Sequence, residues 1–194
     1  MVLSDRPAER HKEVSRILTD RVRGTQSCKA PSPVAGWTAR DVARHLTEWF
    51  PSFLAVGAGV HLRQVRASTT SRSARGWRSA APCRPCWRIR RPPAGVLSNP
   101  PTGEMPLDRA FDRFYTCDVS MHTWDLARAT GQDDRFDPDT CADLLAGREQ
   151  IEQVMRSSGQ YGPRVPAPAD ADAQTTLLGF IGRDPNWTPP RRDI

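Results

Sequence analysis

Residues 106–129, PLDRAFDRFYTCDVSMHTWDLARA, read as one long helix whose apolar stripe carries ionisable groups. At 100° per residue, Leu107, Phe111, Phe114, Asp118, His122, Asp125, Leu126 and Ala129 fall within an arc of about 120°. Arg109 and Arg113 fall on the other side, as a solvated face should. Pro106 suits a first helical turn and Gly131 a stop. Any fold for this chain must therefore bury the stripe while compensating Asp118, His122 and Asp125. An ionised carboxylate in an apolar setting is costly without partners.

The other periodic segments are also helical. Residues 7–23 carry Val14, Ile17, Leu18 and Val22 at helical spacing. Thr38 stands as an N-cap with Asp41 three residues on, a capping-box variant. The helix it opens runs to about Phe50, where Pro51 kinks or ends it, with Val42, Leu46, Trp49 and Phe53 as its stripe. A further helix runs from near Pro138 to about Met155, with Cys141, Leu144, Leu145, Ile151 and Val154 on one side. A short helix, Ala171 to Ile181, precedes a tail at 183–194. No repeat and no convincing β-strand is found. The expected class is all-α, an up-and-down bundle in a single domain, 1–194.

One segment does not fit. Residues 61–95 show neither helical nor alternating periodicity, and Pro82, Pro85, Pro92 and Pro93 oppose a helix. No Asp or Glu occurs between Glu48 and Glu104, while nine arginines lie between Arg63 and Arg91. Subtracting these nine from the net charge of +6 leaves −3, so the basicity is local. The segment fits a basic arm, an out-of-frame stretch of a GC-rich gene, or a metal knuckle at Cys83 and Cys86. The knuckle lacks the second ligand pair that structural zinc requires. Arg84 and Arg88 could also reach a ligand.

The 194 residues suffice for a real core. Mean hydropathy is −0.59, and no apolar stretch approaches membrane-span length. The N-terminus has no hydrophobic signal core. Five cysteines, an odd and low count, exclude a disulfide scaffold and point to a reducing cytoplasm.

Asp118 and His122, four residues apart, meet above one helical turn. That spacing suits two ligands on one metal, and His45, at the edge of the Val42–Leu46–Trp49 stripe, is the candidate third. A two-His-one-carboxylate set with open positions fits Zn²⁺, and also Fe²⁺, Ni²⁺ or Mn²⁺. The same pair would equally form a hydrogen bond in a metal-free core. Asp125 reads as an outer-shell or helix-packing group. His11 reads as lying on a solvated helix edge, His61 borders the irregular segment, and Cys117 reads as packing.

DVARHL at 41–46, CDVSMHTWDLARATG at 117–131 and LLGFIGRDPNW at 177–187 resemble metal-binding proteins related to the N-terminal domain of mycothiol-dependent maleylpyruvate isomerase. That group belongs to the DinB/YfiT-like superfamily of four-helix bundles. The resemblance covers roughly 30–60 and 96–188 and matches its His and acid-xxx-His motif to His45, Asp118 and His122. It implies a divalent metal, usually zinc, and a low-molecular-weight thiol such as mycothiol. In an isomerase the metal-bound thiolate would add to an activated double bond, permit rotation and leave; in a transferase it would displace a leaving group. The ligand acid is Glu in the isomerase and Asp here, a shorter arm. The family has a helix where 61–95 lies, and 194 residues leave little room for the isomerase's C-terminal domain.

Three functions follow as expectations. The first is a cytoplasmic, metal- and thiol-dependent isomerase or S-transferase-like enzyme acting on a small molecule, with a homodimer as its assembly. The second is a non-catalytic metal-binding bundle. The third is a nucleic-acid or acidic-partner binder using 61–95, the least favoured because the charge is so local.

Overall fold

The computed structural model describes residues 3–61, 95–100 and 103–190. Apart from its two ends, the irregular 61–95 segment lies outside them, as do Cys83 and Cys86. The elements run α1 (Pro7–Gly24), α2 (Ala39–Ala58), β1 (Val96–Asn99), β2 (Gly103–Pro106), α3 (Leu107–Ala110), a π-helical stretch (Phe111–Thr116), α4 (Cys117–Thr130), α5 (Pro138–Glu149), α6 (Glu152–Ser157) and α7 (Ala173–Phe180). The protein is mainly helical. None of its described helices is long and apolar enough to cross a membrane.

Local signals set the helix starts. Thr38 and Asp41 close a capping box at α2, the Asp41 carboxylate accepting from the Thr38 amide at 2.9 Å. The Asp137 and Asp172 carboxylates accept from the amides of Thr140 and Thr175 at the starts of α5 and α7. Pro51 does not end α2, which continues to Ala58 and stops at Gly59 in the left-handed region, φ 62°. Burial of Phe50 and Leu54 either side of Pro51 holds the helix through the lost hydrogen bond. The expected 138–155 helix is two helices, separated at Gln150–Ile151.

The expected absence of strands is corrected by a small hairpin. β1 and β2 pair antiparallel, with Leu97 opposite Met105 and Asn99 opposite Gly103. Pro106 therefore ends a strand, and the long helix begins at Leu107. Each strand is four residues, and only Leu97 is buried, so alternation has nothing to register. Leu97 rests on α2 where Gly57 has no side chain; a Cβ there would lie 2.7 Å from the Leu97 Cδ1.

The helix from Leu107 to Thr130 is continuous but changes winding within it, in the π-helical stretch. A single 100° wheel across this stretch therefore loses phase. It also misjudges the far side. From Val119 to Ala127 every residue of α4 is buried, because α4 is the wall shared by two clusters. On one side Val14, Leu18, Val42, Leu46, Phe50, Leu97 and Tyr115 pack with Val119 and Leu126. On the other, Met121 and Trp124 pack with Cys141, Met155, Tyr161, Leu177 and Phe180. Buried hydroxyls are compatible with this because Ser120 and Thr123 donate to carbonyls one turn back, Thr116 O at 3.0 Å and Val119 O at 2.7 Å.

His11 is not a solvated edge residue. Its ring packs edge-on to Phe111, centroids 4.7 Å apart, and its nitrogens contact the hydroxyls of Thr116 and Ser15. Burial pushes its pKa down to about 4. Between that value and the ordinary 6.5 the unfolded chain takes up a proton that the folded chain refuses. The His11 contribution to stability should therefore fall as pH drops from about 6.5 to about 4 and level off below. His11→Gln should flatten the dependence of unfolding free energy on pH in that window, by at most about 1.4 kcal/mol per pH unit. Denaturant unfolding of both proteins across the window checks this.

Candidate metal centre

α2 and α4 bring His45, Asp118 and His122 together. One ligand atom from each can be chosen so that all lie within 4.8 Å of one another. His45 Nε2 is 3.3 Å from Asp118 Oδ2, and His122 Nε2 is 3.6 Å from Asp118 Oδ1. The two imidazole centroids are 4.8 Å apart. Bonds of about 2.0–2.1 Å in a tetrahedral arrangement imply ligand–ligand separations of about 3.3 Å, which the two His–Asp118 distances approach, while the 4.8 Å span of the set leaves a contraction to make on binding.

The orientation of His122 is set from behind. Asp125, fully buried, accepts from His122 Nδ1 at 2.8 Å. Burial would raise the Asp125 pKa, but Arg183 and His122 hold it below the usual carboxylate range. An ionised carboxylate only accepts, so Nδ1 carries a hydrogen, and Nε2 is the atom turned towards Asp118, which a metal would reach by displacing any proton there. Arg183 completes the chain, donating from Nε to Asp125 Oδ1 at 2.9 Å and from Nη2 to Oδ2 at 3.1 Å. This is the bidentate fork that favours arginine over lysine. A metal-binding histidine commonly has such a carboxylate behind it.

Asp118 has its own support. Trp49 Nε1 donates to its Oδ2 at 2.9 Å. Burial works against its charge, but His122 and His45 outweigh it and lower the pKa. His122 is the counterpart: burial alone would lower its pKa, while Asp118 and Asp125 raise it above the ordinary value. Trp37 stacks on His122, centroids 5.6 Å apart at 17°, and Trp49 stacks on His45 at 5.9 Å and 21°. The two indoles restrict both rings to few rotations.

The structure thus gathers His45, Asp118 and His122 and sets Asp125 behind His122. Trp37, Trp49 and Arg183 also belong to the site, and the sequence reading gave them no role there. Trp49 was legible only as an apolar stripe residue. From sequence Arg183 falls in a tail, yet its side chain is only 11% exposed and packs against Asp125, and Arg128 Nη2 donates to Pro185 O at 2.9 Å. Cys117 is half-buried beside Asp118 along the chain and is a free thiol.

Comparison with known proteins gives two relatives from Mycobacterium tuberculosis. They are the uncharacterized proteins MT0763 of strain CDC 1551 / Oshkosh and Rv0738 of strain ATCC 25618 / H37Rv. Each is 29% identical over 183 residues, covering 90% of this chain and 94% of the relative. No protein-family model matches the chain, and no solved structure matches it at a significant level.

Removing one partner of a buried ion pair leaves the other charge uncompensated, at about 3–5 kcal/mol. Asp125→Asn should lose stability of that order, while Asp133→Asn, whose ion pairs are exposed, should lose under about 1 kcal/mol. Urea unfolding of the two variants beside the parent protein measures the difference.

Proposed function

We propose that this chain is a divalent-metal-binding protein, with His45, Asp118 and His122 as ligands. The observation that carries the reading is the joint geometry: three donor groups within 4.8 Å, with the ring of His122 tied through Nδ1 to the buried Asp125–Arg183 pair. Here the second nitrogen is turned towards a carboxylate and another imidazole, a donor set that fits Zn²⁺, Fe²⁺, Ni²⁺ or Mn²⁺.

The proposed family is the metal-binding group related to the N-terminal domain of mycothiol-dependent maleylpyruvate isomerase, and the proposed fold its DinB-like bundle. What supports this is the match of His45, Asp118 and His122 to that group's ligand motif, together with their convergence from two helices. The activity proposed is isomerase or S-transferase chemistry with a small thiol such as mycothiol. A divalent cation at these ligands would supply Lewis acidity and lower the pKa of a thiol or water bound to it. The protein's own part is positional. Asp125 fixes the His122 tautomer, Trp49 orients the Asp118 carboxylate, and the Trp37 and Trp49 rings shield the imidazoles from water.

Protein purified without a histidine tag should carry about one divalent metal per chain by elemental mass spectrometry. His122→Ala should carry none, and Asp125→Asn should bind about 10–100-fold more weakly in a chelator competition. Stoichiometric metal retained by folded His122→Ala would overturn the ligand assignment. Metal that raises the melting temperature, with no turnover on any thiol–electrophile pair, would leave a non-catalytic metal-binding bundle.

A further inference from the structure

A cavity of about 200 Å³ opens beside Asp118. Trp49, Phe53, Phe114, Met121 and Met155 give it apolar walls, and Arg148 lines it as well. Arg148 sits in the last turn of α5 and is 2% exposed. Its Nη2 donates to the carbonyl of Arg113, and it lies near the side chains of Cys117 and Tyr161. Among the described residues it forms no ion pair with a carboxylate.

That arrangement is unusual on energetic grounds. A guanidinium removed from water carries a large desolvation cost, normally offset by a paired anion. Arg183, the other arginine near the site and largely covered, has such an anion in Asp125. Arg148 has a carbonyl oxygen as its close partner, with Asp118 and Asp112 acting on it only from beyond ion-pair distance, and a cavity in front of it. The guanidinium fork suits a planar carboxylate, which it grips through two parallel hydrogen bonds. The remaining walls are aromatic and thioether, and so suit a flat apolar body. An apolar cavity of about 150 Å³ holds benzene, so this one has room for such a body with a carboxyl group attached. Asp118, on the cavity lining, disfavours a second negative charge there.

We propose that this cavity is the substrate pocket, and that it takes a small aromatic monocarboxylate with its carboxylate on Arg148 and its apolar body between Trp49, Phe53 and Met155. The proposal rests on the metal-site reading for calling the ligand a substrate. The binding itself depends on Arg148, not on the metal.

Isothermal titration with benzoate, and with benzamide as its neutral isostere, tests it on four proteins: the parent, Arg148→Met, Val154→Phe and the metal-free His122→Ala. Val154 is also on the cavity lining and half-buried, so Phe there fills space while leaving the Arg148 side chain itself unsubstituted. Benzoate should bind the parent at least tenfold more tightly than benzamide. Arg148→Met should lose at least tenfold for benzoate with little change for benzamide, and Val154→Phe should weaken both. His122→Ala should still bind benzoate within a few-fold of the parent. If Arg148→Met fails to fold, the benzoate–benzamide ratio and Val154→Phe decide. Equal affinity for the two compounds, or no benzoate binding to the parent, overturns the proposal. So does benzoate binding that disappears with the metal in His122→Ala while ignoring Arg148 and Val154. Loss of the metal assignment with benzoate binding intact would instead retire the metal reading and leave the pocket standing.

Discussion

The buried carboxylate of Asp125 is the constraint around which the described structure is arranged. It sits on a helix whose surroundings are otherwise apolar, and it is stable there only because two donors converge on it. His122 comes from the same helix, and Arg183 from the segment that follows α7. Folding therefore has to bring that segment back across α4, and doing so covers the Trp124 and Met121 side with the second apolar cluster. The ion pair does not supply most of the stability, because desolvation takes back much of its Coulombic gain. What it does is specify position: Arg183 has one place where its charge is met.

The same pairing explains why a histidine within a packed core can remain a usable ligand. Its tautomer is chosen by Asp125 and its rotation limited by Trp37, so few arrangements compete with the one that turns Nε2 towards Asp118. Order imposed in advance lowers the entropy that binding must remove. Asp118 is held in the same way by the Trp49 indole. The apolar cluster and the polar site are thus one construction, since the residues that exclude water also aim the donors.

What could be read from the sequence was what is local. The capping box at Thr38 and Asp41 spans one turn, and Asp118 and His122 share a helix face by spacing alone. His45 could be nominated because it borders a stripe on a helix that must pack somewhere. The mainly helical class followed from the same periodicity. Non-local relations were out of reach. Nothing near Arg183 announces that it will meet Asp125, 58 positions earlier. The hairpin has strands too short to alternate, and the π-helical stretch leaves no compositional mark that breaks the wheel. His11 was misplaced because an edge position on a lone helix wheel says nothing of Phe111 and Tyr115 arriving over it.

The contact between Gly57 and Leu97 has a consequence for how such a chain can change over generations. It joins the end of α2 directly to the hairpin, and Leu107 N bonds back to Gly95 O at 2.9 Å. The polypeptide therefore leaves the described fold just after α2 and rejoins it at a strand seated on that same helix. A side chain at position 57 would have to push Leu97 off α2, and with it the hairpin that leads into the helix of Asp118 and His122, so glycine is held there by packing and not by any ligand. A position with no chemistry of its own can thus be as tightly constrained as the ligands it helps to place.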